Sequence, residues 1–296
     1  MPVRKLLSRR NSLGFKMILP PTALIACITL FPLINGLYLG MTNTNILRNI
    51  SDFVGIENYV KIILTDGEFY GALSYTAIYS FFVMAFSYIL GLIFALLLNR
   101  DIKLRGLFRA AALIPWIIPP IVATTNWSWV LNDQYGIINT FLKQIGFIKE
   151  PILFLAMPNL ARMTVIGVGV WKSYPFMMIV LLAGLQSIPK ELYEAAYIDG
   201  AGFVSSFWKI TMPNLKNVSF ICTILMFIWT FNNFENIYLL TQGGPVQKTF
   251  VLSILSYYMA FFRGTLGYAS AITTVMLVVL LLISMGYLRV LKANEV

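Results

Sequence analysis

The chain has 296 residues, of which 58% are apolar and only 11% charged, and its mean hydropathy is +0.78. Soluble domains carry roughly 25% charge, so a water-soluble globule is excluded and the lipid bilayer is the expected solvent. The formal charge is +10, yet the bases are scattered over short loops between apolar runs, which argues against a nucleic-acid partner and for a membrane surface.

In chain order, the N-terminal stretch Met1–Lys16 is basic, and the apolar run after it is long, with no small-residue cleavage site. It reads as a tail followed by an uncleaved first span. Six windows are then free of charge or nearly so: 17–47, 69–99, 110–132, 163–189 with only Lys172, 217–247 with only Glu235, and 264–288. Each is long enough to cross a hydrocarbon core of roughly 30 Å as a helix. The runs are continuously apolar rather than alternating, which favours helices over barrel strands. Spans are therefore placed at 17–41, 70–98, 107–130, 161–186, 216–240 and 265–290, giving an all-α membrane protein. Lys and Arg concentrate in the tail, in the loop 100–109, in the loop 187–214 and after residue 288. By the positive-inside rule these segments, and hence both termini, are expected on the cytoplasmic side. Pro20, Pro21 and Pro32 in the first span, Pro115, Pro119 and Pro120 in the third, and Gly167, Gly169 and Pro175 in the fourth predict kinks or breaks, which membranes tolerate beside neighbouring protein or a water-filled cavity. Cys27 and Cys222 read as small buried hydrophobes without a disulfide or metal framework. Histidine is absent, which removes the commonest metal ligand and general base.

The loop after the fourth span has a pattern of its own. Ile188-Pro189-Lys190-Glu191 precedes Glu194-Ala195-Ala196-Tyr197-Ile198-Asp199-Gly200-Ala201-Gly202, and Ile210-Thr211-Met212-Pro213 follows. A short helix should start after Pro189, with Glu191 and Glu194 near its positive end. Gly200 and Gly202 should stop it. A second short helix should carry Phe203, Phe207 and Trp208 on one face, and Pro213 should end it before the fifth span. On helix physics alone this describes equally an interfacial amphipathic connector.

The spacing Glu-Ala-Ala, three residues, Gly, nine residues, Ile, one residue, a large apolar residue and Pro resembles the EAA signature of importer-type ATP-binding-cassette (ABC) permeases. The one departure is Met212, where the family usually has Leu. Leu185-Gln186-Ser187-Ile188-Pro189 and the Leu239-Leu240-Thr241-Gln242-Gly243-Gly244-Pro245 run after Asn232-Asn233-Phe234-Glu235 are similar to the MalF-type subunit of carbohydrate importers. The large extra periplasmic domain and additional N-terminal spans of the maltose protein are lacking. The resemblance implies a type I ABC importer permease fold over 17–291 in the inner membrane, with 187–214 as a coupling loop. Glu194, Ala195, Ala196, Asp199, Gly200 and Ala201 would contact a separate ATPase. The implied partners are a second, MalG-type permease, two ABC ATPase subunits and an extracytoplasmic solute-binding protein. ATP and Mg would be bound by the ATPases and no cofactor by this chain, which would itself be a transport subunit without catalytic residues.

For the substrate path, ionisable groups inside spans usually face a cavity, and Lys172 and Glu235 stand out. Ser173 and Phe176 share a helix face, as do Thr230 and Asn233. The resemblance aligns Gly169, Lys172, Ser173, Phe176, Met226, Trp229, Thr230 and Asn233 with sugar-lining positions, of which Asn233 alone keeps the maltose-type residue. The plainer readings are bundle packing for the aromatics and, for Lys172, snorkelling or a pair with Glu235. A cation there would suit an acidic, uronate-type oligosaccharide, although it would also serve a neutral sugar. Another small solute such as a glycerol phosphate is the alternative cargo. A secondary transporter would need coupling carboxylates and repeats. An intramembrane enzyme would need a nucleophile–base pair or metal ligands. Neither pattern is found, nor is a GxxxxGK[ST] phosphate loop.

Overall fold

The computed structural model describes the backbone of residues 2–293 and side chains over 15–289. The side chains of most of the basic tail, Arg4 to Arg10 among them, and of Lys292 lie outside the described residues. Helices account for nearly all of the ordered backbone. Among the described residues, the only extended pairing is two isolated bridges, Thr42–Phe53 and Asn45–Ile50. Among the described residues, five helices are long and apolar enough to span a membrane, and six if one bent pair counts as a single span.

The chain forms two compact units. The first comprises residues 1–66 and 256–277. It holds α1 (Pro2–Gly40) and α2 (Glu57–Leu64). Between them, Asn58 Nδ2 donates to the carbonyls of Gly40 at 3.0 Å and Thr42 at 2.8 Å, closing the turn. Pro20, Pro21 and Pro32 do not break α1. Cys27, expected to be buried, is exposed on it. From Phe15 to Gly40 helix α1 is almost wholly apolar and its side chains are mostly exposed.

The second unit, residues 67–255 and 278–296, is built on α3 (Gly67–Leu98), α7 (Pro158–Gln186) and α10 (Met212–Phe231). Their shared core includes Leu92, Ala95, Met177, Met178, Leu181, Leu185, Leu215, Cys222 and Met226. Gly91 lets α3 approach α7 closely: a Cβ there would lie 2.5 Å from Met177 Cβ and 2.8 Å from Met178 N. Such small-residue contacts bring helices together where no water-driven force separates lipid-facing from protein-facing surface.

The break expected at the prolines of the third span is found, and two other expectations about continuity need correction. The third span is two helices, α4 (Arg105–Ile117) and α5 (Pro120–Val130), bent by 93°. Pro119 and Pro120 have no N–H to give to the carbonyls one turn back, so the ladder stops. The fifth span ends at Phe231 rather than near residue 240, and α11 (Glu235–Thr241) follows separately. There Asn232 Nδ2 bonds the Ile228 carbonyl at 2.9 Å, beside the backbone N–H of Asn232 at 3.2 Å. An amide side chain that competes for helical carbonyls closes a helix in this way. Finally, Pro213 does not end a short helix. The chain is helical from Phe203 to Phe231, through α9 (Phe203–Ser206) and a π turn at Phe207–Thr211. The π turn widens the ladder just before the proline ring, whose usual clash is with the carbonyl four residues back. The altered register also separates the aromatics: Phe207 turns toward the core, while Phe203 and Trp208 stay exposed.

Candidate functional site

The break in the third span creates the site. Where α4 ends, the carbonyl of Pro115 loses the partner that residue 119 would have supplied. Lys172 replaces it: its ammonium donates to Pro115 O at 3.0 Å and also to Ile118 O. Tyr174, two residues on, donates to Ala112 O at 3.2 Å. Side chains of α7 thus carry the end of α4. The pair with Glu235, one of the two plainer readings of Lys172, does not form. Glu235 is exposed in the first turn of α11, where negative charge is favoured by the helix dipole.

Beside this strut lies a cavity of about 270 Å³. Lys172, Ser173, Phe176, Trp229, Thr230 and Asn233, all singled out from the sequence, line it together with Met226. The opposite wall is Trp116 to Pro120. Sequence reasoning missed that wall, although the doubled proline marked it. Gly169 is not a lining residue: it is buried where a Cβ would come within 2.8 Å of the Tyr79 hydroxyl. Trp171 packs edge-on against Trp127 at 5.4 Å, so for this residue the packing reading holds.

The lining groups offer distinct chemistry. Phe176 sits between Trp229, at 4.8 Å and 60°, and Trp116, at 6.2 Å, which gives an aromatic wall for apolar C–H faces. The Thr230 hydroxyl bonds the carbonyls of Met226 at 2.8 Å and Phe227 at 3.1 Å, so its proton is committed to its own helix and it presents an acceptor. Asn233 Oδ1 is buried without a hydrogen-bond partner, a costly state for an amide oxygen that a donating hydroxyl would relieve. An ammonium has three N–H groups. Two of those on Lys172 serve the break, which leaves one for the cavity.

At the far end of α7 the predicted short helix appears as α8 (Lys190–Ile198), capped by Pro189. It closes in a Schellman turn: Gly200 N–H donates to Tyr197 O at 3.0 Å and Ala201 N–H to Ala196 O at 2.8 Å, with Gly200 at φ +78°. Glycine is required there by the left-handed backbone. Glu194, Ala195, Asp199 and Gly200 are exposed and Ala196 and Ala201 half-buried, beside the strongly exposed Tyr197 and Ile198. Tyr193 ties the helix back through a hydroxyl contact of 3.0 Å to Thr211. The basic loop before α4 meets the same end. With its amide oxygen turned toward them, Gln186 accepts from Arg109 at 2.7 Å and Arg105 at 3.0 Å.

The profile of the family described as binding-protein-dependent transport system inner membrane component matches residues 87–294. The trehalose/maltose transport system permease protein MalF of Thermococcus litoralis is 37% identical over 286 residues, covering 97% of this chain and 96% of that protein. The multiple sugar-binding transport system permease protein MsmF of Streptococcus mutans is 32% identical over the full length of both. Among solved structures, a bacterial alginate ABC transporter in complex with an alginate pentasaccharide-bound periplasmic protein is similar, with a TM-score of 0.79 and 25% identity over 94% of this chain and 93% of that one.

Proposed function

Since this chain belongs to the family of binding-protein-dependent transport system inner membrane components, an ABC permease family of multi-pass inner-membrane subunits rather than enzymes, we propose that it carries a sugar or oligosaccharide into the cytoplasm by alternating access. In this reading it pairs with a second, MalG-type permease. Two ABC ATPases bind ATP and Mg on the cytoplasmic face and dock on Glu194–Ala201, and an extracytoplasmic binding protein delivers the sugar. Both termini are cytoplasmic.

The observation that carries the substrate class is the cavity under the broken third span. It combines an aromatic wall, an unpartnered amide oxygen and a cation. Aromatic faces suit the C–H side of a pyranose and the polar groups its hydroxyls. The relatives' names point the same way, to trehalose, maltose and multiple sugars. The spare N–H of Lys172 favours an acidic, uronate-type sugar, because a carboxylate accepts a charge-assisted bond that a hydroxyl matches only weakly. That the similar solved structure is an alginate transporter supports the acidic reading.

Uptake by the intact transporter carrying Lys172→Gln tests it. Glutamine keeps a donor for the Pro115 carbonyl and removes the charge. For an acidic cargo, KM should rise roughly tenfold, the equivalent of about 1.4 kcal/mol, with neutral-sugar uptake retained. Equal uptake of the acidic sugar by both forms would sink the acidic reading.

A further inference from the structure

The connector between α5 and α7 carries a surface that the transport reading leaves unused. It contains α6 (Ile137–Gln144) and runs from α5, the second half of the bent pair, to the start of the long apolar α7, at the end of α7 opposite α8. Asn139, 2% exposed, holds it in place: its Nδ2 donates to Asn132 O at 3.2 Å and Ile152 O at 3.0 Å, and its Oδ1 accepts from Ile152 N at 2.8 Å. The two arms of the connector are therefore stapled at the level of the span ends.

With that face of α6 turned inward, the other face shows Ile137, Phe141 and Ile145 at i, i+4 and i+8, which are neighbours on a helix. Together with Trp129, Tyr135 and Phe147 these side chains are 58–77% exposed. Lys143, Lys149 and Glu150 are exposed on the same connector and Asp133 is half-buried, so its charges balance.

Each environment can be weighed. The connector has irregular backbone on both sides of α6, which lipid-exposed hydrocarbon does not tolerate. In water, six large, mostly apolar side chains exposed on one short connector would be unfavourable. The headgroup layer satisfies both constraints. Trp and Tyr concentrate there, and amphipathic helices lie in it with the apolar face toward the acyl chains. A protein partner fits less well, because interface cores are depleted of lysine.

We propose that α6 and its flanks are an interfacial anchor, lying flat in the headgroup layer with Ile137, Phe141 and Ile145 at the acyl boundary. The anchor fixes the depth of the Asn139 staple and so of the ends of α5 and α7, the helices on either side of the cavity.

The test is site-directed spin labelling of the complete transporter in phosphatidylethanolamine–phosphatidylglycerol vesicles. Single cysteines (Ile137→Cys, Phe141→Cys, Thr140→Cys, Lys143→Cys) would be placed in a Cys27→Ser background, Cys222 being fully buried and so closed to the label. Labels at 137 and 141 should relax strongly with oxygen and weakly with a water-soluble nickel chelate, and labels at 140 and 143 the reverse. Phe147→Cys, outside the helix, gives an independent reading of the lipid-facing kind. Nickel accessibility at 141 equal to that at 143 would overturn the proposal in favour of a solvated loop. Exclusion of both reagents from 137 and 141 would overturn it in favour of a protein partner.

Discussion

Gly200 makes a single demand, and the structure isolates it. A Cβ there would meet nothing within 4 Å, so the constraint is the left-handed φ of +78° alone. An L-residue in that region costs roughly 1–2 kcal/mol, and asparagine tolerates it better than a β-branched residue. Gly200→Asn should therefore retain most ATP-driven uptake and Gly200→Val should lose it, with equal amounts of both variants in the membrane by immunoblot. Equal loss in both would point to a steric contact with the partner instead of the turn. Gly200 was legible in the sequence because a glycine after a short amphipathic stretch marks a left-handed C-terminal turn. Lys172 was legible as an unusual charge but not in its role. Its partners, the carbonyls of Pro115 and Ile118, lie more than fifty residues away, and no local pattern reports which side chain will satisfy an orphaned carbonyl.

The same distinction holds for whole elements. Apolar run length fixed where helices cross, because that depends on the solvent alone. The interruptions followed other rules. Three prolines pass through α1 without a break, whereas Pro119 and Pro120 turn the chain by 93°, where Lys172 bonds the freed carbonyl of Pro115 and Tyr174 holds α4 through Ala112. Asn232 ended the fifth span early through its own side chain. The π turn before Pro213 made a continuous helix from a sequence that reads as two. The α3–α7 seam offers a direct test of packing at this scale. Gly91 has no room for a side chain, with Met177 Cβ at 2.5 Å and the Met178 backbone at 2.8 Å from a virtual Cβ. Overpacking of this kind costs about 1–3 kcal/mol. Gly91→Val should lower the thermal midpoint of the purified transporter in detergent, whereas Gly71→Val, on the same helix with nothing within 4 Å of its virtual Cβ, should not.

Within the second unit the cavity and the loop proposed to meet the ATPase are joined by the two helices that supply both. Lys172, Ser173 and Phe176 lie on α7, and Met226, Trp229 and Thr230 on α10. The loop that joins those helices is the segment carrying α8. Between cavity and loop the helices share a buried core, from Met177 and Met226 through Leu181, Cys222 and Leu185 to Ile188 and Leu215. Close-packed interiors transmit displacement instead of absorbing it, so a push on α8 reaches the cavity through side chains that cannot yield. Glu194 is on the outside of this path. It is exposed, and its carboxylate is available to a basic group on an ATPase. Glu194→Lys should therefore leave the core, and with it the thermal midpoint, unchanged. Reversing one charge of a docked pair costs at least the 2–5 kcal/mol of truncating it, so ATP-coupled uptake in proteoliposomes should fall by roughly 30-fold or more. A charge-reversing substitution at the facing basic position of the ATPase should restore part of it. Loss of uptake accompanied by a lowered thermal midpoint would place Glu194 in the fold instead of the interface, and undiminished uptake would remove it from the coupling path.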